Sequence, residues 1–163
     1  MAMSLEQLSA QFDILQLVAK YGLYMDNGRF DEFEALFALD AVFNVSPDPK
    51  IIKVPVQGNA AIREQVEGRH HFVSQTARHR HSSTNTLIFD YTGDEARGIS
   101  QVTMTEILHA GGGPILRGTG EYHDRYVLRG GVWLFAERTL MLDVLGGWRP
   151  GAGGDPNAGT STP

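Results

Sequence analysis

The second half of the chain sets the terms for the first. From Arg80 onward the sequence reads as three or four long strands, roughly His81–Tyr91, Glu95–His109, Pro114–Leu128 and Val132–Leu145. Only the turn signals "TGD", "AGGGP" and "RGG" separate them. Connections this short leave antiparallel hairpins as the arrangement for successive strands. A sheet of that length has a face to bury, and the cover must come from the segments before it. Gly98, Gly118 and Gly120 fall inside long strands, where such a sheet can bend.

Those earlier segments read as helices. "SLEQLSAQFDILQLVAKYGLYMDNG" has Ser4 followed three residues later by Gln7, a capping box, and ends on Asn27-Gly28, a pair that tolerates positive φ. One apolar stripe runs Leu8, Phe12, Leu15, Ala19 and Gly22, and its next member is Asp26. A second runs alongside through Ile14, Val18, Tyr21 and Met25. "FDEFEALFA" predicts a short helix with Phe30, Phe33 and Phe37 inward, "AVFNV" a strand, and "GNAAIREQVEG" a third helix with Ile62 and Val66 inward. Helices first and strands after is an α+β pattern: a curved antiparallel sheet wrapped on a long N-terminal helix, forming a cone with an internal cavity. Residues 1–148 are expected to form a single domain. The tail 149–163, rich in Gly and Pro, is expected to be mobile.

Composition narrows the function. Lys plus Arg total only 14 against a net charge of −5, so no basic face for nucleic acid is expected. The absence of cysteine removes thiolate nucleophiles, thiolate ligands and disulfides. The N-terminus lacks a basic region followed by an apolar run, and no stretch is long enough to span a bilayer. A cytoplasmic protein without membrane partners is the expectation.

Two features carry chemistry. Asp26 continues an inward stripe, where a carboxylate needs a partner, although a helix-end residue reaching solvent or a loop amide is an equal reading. Gly22, one turn earlier, leaves space beside it. In "RHRHSSTN", Arg78 to Asn85, strand alternation puts His79, His81, Ser83, Asn85, Leu87 and Phe89 on one face. The apolar end of that set turns the face inward, leaving Thr84, Thr86 and Ile88 on the other. A metal site at His79-x-His81 with His70-His71 would need three or four converging ligands, a specificity this spacing lacks, so no metal is expected. A histidine simply hydrogen-bonded in the core remains open. The third reading is an acid–base histidine, because a carboxylate partner exists in Asp26. Such a partner fixes the ring tautomer and stabilises the imidazolium.

"YGLYMDNGRFDEFEALF", "HSSTN" and "GEYHDRYVLRGGVWLFAER", in that order and spacing, resemble the SnoaL-like, scytalone dehydratase-like branch of the nuclear-transport-factor-2-like superfamily. The resemblance spans roughly Leu8 to Asp143. It implies the cone-shaped, cystatin-like α+β fold and a homodimer or homotrimer. It also implies that Asp26 and His81 hold the catalytic positions of the dehydratase and dehydrochlorinase members, with Tyr21 matching a tyrosine of the bile-acid dehydratase. Glu106 stands where scytalone dehydratase has a second His. Met25 and Val45 stand where that enzyme has tyrosines, which argues against scytalone as substrate. Arg138 resembles an arginine of the dehydrochlorinase, one residue out of step.

Strand parity adds Tyr122 and Glu106 to the cavity wall, with Asp124 beyond Tyr122. For Glu106 and Arg138 a structural ion pair is an equal reading. His109 and His123 carry no spacing argument and are expected at the surface or in subunit contacts; His70 and His71 fall in a loop without a role. The combined expectation is a cofactor-independent lyase of dehydratase type. Its substrate would be a small cyclic or polyketide-like carbonyl compound, with Asn85, Glu106, Tyr122 and Arg138 as binding residues. An isomerase or polyketide cyclase using the same pair, or a non-catalytic binding or assembly module, are the alternatives.

Overall fold

The chain opens with helix α1, Leu5–Asp26, started by the reciprocal Ser4–Gln7 capping box at 3.1 and 2.9 Å. The structure, a computed structural model, describes residues 3–47 and 53–143; the tail 149–163 lies outside them. Helix α2 (Phe30–Glu34) follows, then strand β1 (Phe37–Ser46), the two-residue β2 (Val56–Gln57) and helix α3 (Asn59–Ser74). Four long strands complete the order: β3 (Ala77–Phe89), β4 (Glu95–Leu108), β5 (Ile115–Arg129) and β6 (Val132–Leu142).

The sheet runs β2-β1-β6-β5-β4-β3 and is curved. Strands β3 to β6 form the antiparallel hairpins expected from their short turns. Strand β1, however, lies parallel to β6, so the sheet is mixed rather than wholly antiparallel. Hairpin logic governs only short connections. After β1 the chain passes through β2 and α3 before entering β3 at the far edge, which frees β1 to pair in either sense.

Helix α1 settles which apolar stripe is buried. Ile14, Val18 and Tyr21 are 0–3 % exposed, whereas Leu8, Phe12 and Leu15 of the other stripe are 42–62 % exposed. Of that other stripe only Gly22 and Asp26 reach the interior. Periodicity alone cannot choose between two apolar faces; the close packing of α1 on β3 does. Phe30 and Phe33 are buried on α2 as expected. Phe37 is buried too, but α2 ends at Glu34 and Phe37 opens β1 instead of continuing the helix. Phe33, Phe37, Phe135 and Tyr21 form an aromatic core under the helices.

Strand β3 departs from strict alternation. Register runs Thr84↔Gln101 and then Leu87↔Ile99, so β3 carries one extra residue. Asn85 sits in this bulge with φ of 49° and bonds the side chain of Gln101 at 2.6 Å. Beyond it the faces exchange. Ile88 packs against the core while Leu87 is 64 % exposed, the reverse of the sequence expectation. The curvature also needs glycine: a Cβ at Gly120 would collide with the carbonyl oxygen of Met141.

Candidate active site

The concave face of the sheet, the end of α1 and the inner face of α3 enclose a cavity of about 950 Å³. Its apolar wall includes Phe43, Ile62, Val66, Val73, Met104 and Leu142. Its polar groups include two histidine–carboxylate pairs and two tyrosines.

The first pair joins α1 to β3. His81 Nδ1 lies 2.6 Å from Asp26 Oδ1, and the His81 amide donates to Asp26 Oδ2 at 2.8 Å. Both carboxylate oxygens are therefore spent on one residue. The side chains are 5 % (Asp26) and 15 % (His81) exposed. A carboxylate accepts only, so the proton between them sits on Nδ1 and the lone pair on Nε2. No described residue bonds Nε2, and His81 lines the cavity. The space beside Gly22 is not empty: the His81 backbone occupies it, at a distance that would put a Cβ 2.6 Å from the carbonyl oxygen. Glycine is what lets α1 come close enough for Asp26 to reach the strand.

The second pair was not foreseen. His79 and Glu106 are direct partners in the β3–β4 register, and His79 Nε2 lies 2.6 Å from Glu106 Oε2. Arg117 bonds the other oxygen, Oε1. Burial pushes the Glu106 carboxyl up, but the hydrogen bonds from Arg117 and His79 outweigh it and hold the group below the usual range. Burial pulls His79 below its ordinary value despite Glu106, keeping the ring neutral near pH 7. The rings of His79 and His81 are 6.2 Å apart. Alternation had already put both histidines and Glu106 inward; the missing signal was the register that sets them opposite.

Tyr21 and Tyr122 form the cavity floor, with ring centroids 5.5 Å apart. Burial raises both phenols, Tyr122 strongly, so both stay protonated donors. Arg138 and Asp124 lie behind them, outside the cavity lining. Arg138 is fully buried, makes two 2.8 Å bonds to Asp124, and stacks at 4.0–4.1 Å on Tyr21, Tyr122 and Phe135. Burial opposes its charge, but Asp124 holds the guanidinium well above its ordinary value. Arg138 is thus paired with Asp124 and not with Glu106, and it does not line the cavity. Asn85, carried away by the bulge, does not line the cavity either. His109 and His70 do line it; His70 belongs to α3 rather than to a loop. His123 is exposed and pairs with Glu121 at 3.1 Å.

Residues 6–139 match the family model for the SnoaL-like domain. The chain belongs to the SnoaL-like family. No curated protein matches it. Among solved structures, this SnoaL-like chain is similar to a variant of Rv3472, a protein of unknown function from Mycobacterium tuberculosis. The two share 28 % identity and a TM-score of 0.74 over 89 % of this chain and 79 % of that one. It is also similar to a candidate scytalone dehydratase from Novosphingobium aromaticivorans, at 22 % identity and TM-score 0.73 over 87 % and 89 %. A third is ActVI-ORFA from Streptomyces coelicolor, at 19 % and 0.72 over 83 % and 98 %. At the identities of the last two, the likeness speaks to the cystatin-like fold. Among the described residues, no helix is long and apolar enough to cross a membrane.

Proposed function

We propose that the protein is a cofactor-independent lyase of dehydratase type, acting on a small cyclic or polyketide-like carbonyl compound. One observation carries this reading: a histidine held by a buried carboxylate through Nδ1, with Nε2 open to a largely apolar cavity of about 950 Å³. Nε2 of His81 removes the proton from a C–H beside the substrate carbonyl. Asp26 keeps the ring in the receptive tautomer and stabilises the imidazolium that forms. The enolate oxygen then takes hydrogen bonds from the neutral Tyr122 and Tyr21 hydroxyls, groups already fixed by burial and stacking. The His81 imidazolium, or Tyr21, returns a proton to the departing hydroxyl, and water leaves. The structural likeness to a candidate scytalone dehydratase is consistent with this chemistry.

An isomerase or cyclase would share the first step and lose no water. The test is a panel of cyclic β-hydroxy ketones followed by mass spectrometry. Loss of one water, abolished in His81→Ala, is expected. Product of unchanged mass would replace the lyase with an isomerase or cyclase, and full activity in His81→Ala would remove the base.

A further inference from the structure

We propose that His79 is a second substrate-contacting group, whose Nδ1 accepts a hydrogen bond from the substrate hydroxyl that is to leave, so that the cavity selects alcohols over halides. This rests on the lyase reading and assigns the chemistry of its leaving group.

The inference starts from the opposite wiring of two neighbouring rings. His81 spends Nδ1 on its carboxylate and presents Nε2; His79 spends Nε2 on Glu106 and leaves Nδ1 without a bond from any described residue. Glu106 is 5 % exposed and bonded by Arg117, so it is a fixed anion able only to accept. The proton of His79 therefore sits on Nε2 and the lone pair on Nδ1. Both rings line one cavity from the same face of β3, 6.2 Å apart, a spacing that can bracket a C–H and the C–O bond next to it.

The step balances with two histidines in different roles. The substrate O–H donates to His79 Nδ1, which turns an oxygen lone pair toward His81. His81 takes the carbon-bound proton; the electron pair of that C–H bond forms the enolate. As the enolate collapses to the C=C bond, the C–O bond breaks and the oxygen takes the proton from the His81 imidazolium. Water departs with its original O–H still on His79. A halide offers no such donor and leaves Nδ1 without the hydrogen bond an alcohol supplies, a cost that separates the two classes. Glu106 acts through His79 and is a positioning residue.

The test uses 2-tetralol and 2-chlorotetralin, neither of which carries a C–H beside a carbonyl, so binding is read without turnover. With protein labelled with 15N at histidine, 2-tetralol is expected to bind roughly tenfold more tightly than the chloride and to shift His79 Nδ1. His79→Phe removes both ring nitrogens, leaving Glu106 bonded by Arg117, and is expected to erase the preference. Glu106→Gln is expected to mix the His79 tautomers and shrink the preference. Equal affinity for the two probes, an unmoved His79 resonance, or a proton on Nδ1 in the wild-type protein would overturn the inference. Should either variant fail to fold, the wild-type tautomer and selectivity still decide. Such a failure would leave the proton abstraction by His81 standing, because that is read separately by its own exchange reaction.

Discussion

A Cβ on Gly22 would lie 2.6 Å from the carbonyl oxygen of His81. That contact, between a helix backbone and a strand backbone, determines the site. It lets α1 pack on β3 so closely that Asp26, one turn beyond Gly22, bonds both the ring and the amide of His81.

Gly22→Ala reverses an ordinary rule. In an exposed helix interior this change stabilises by about 1 kcal/mol. Here it is expected to destabilise by about 1–3 kcal/mol, as overpacking does, and to reduce turnover by displacing Asp26. Urea unfolding and initial rates on the same sample check both signs.

Arg138 is expected to matter for folding and not for substrate affinity. Removing one member of a buried pair leaves the other uncompensated, at about 3–5 kcal/mol. Arg138→Met and Asp124→Asn should each lower the unfolding midpoint strongly, while a combined replacement of both charges by apolar residues should cost less than the sum. A raised KM with unchanged stability would instead return Arg138 to the cavity.

Asn85 supplies a contrast. Its φ of 49° suits Asn and Gly, so Asn85→Gly is expected to leave both fold and turnover intact. Asn85→Val should cost about 1–2 kcal/mol through backbone strain alone. A selective fall in kcat for Asn85→Gly would show that the residue reaches the substrate after all.

Acid should lower the stability of the protein in two stages. Folding lowers the affinity of His79 for a proton below the ordinary 6.5, so the unfolded chain binds that proton more readily. The stability tied to His79 is full above pH 6.5 and is lost as pH falls through the folded value. Glu106 is held below 4.5 and adds a second loss of the same sign at lower pH. Urea midpoints measured across pH should show the first stage in wild type and not in His79→Gln.

The fold was legible where local rules suffice. The capping box at Ser4 and Gln7, the buried Phe30 and Phe33 of α2, and the hairpins of β3 to β6 all follow from spacing and turn chemistry, whereas Phe37, expected on that helix, opens β1. What was not legible depends on placement across the chain. Two apolar faces on α1 could not be ranked without the strand they meet. The bulge at Asn85 moved one expected wall residue out, and the β3–β4 register made a pair of His79 and Glu106. Arg138 stood on the correct strand but one layer too deep, under the tyrosines.

The proposed base, His81 oriented by Asp26, is expected to remove a proton from carbon inside the cavity. Exchange of the α-protons of 2-tetralone in D2O, followed by proton NMR, reads that step without needing a leaving group. The wild-type protein is expected to accelerate exchange above buffer, and His81→Ala to slow it by about 10²–10⁴-fold. Exchange in His81→Ala at the wild-type rate would rule out His81 as the base.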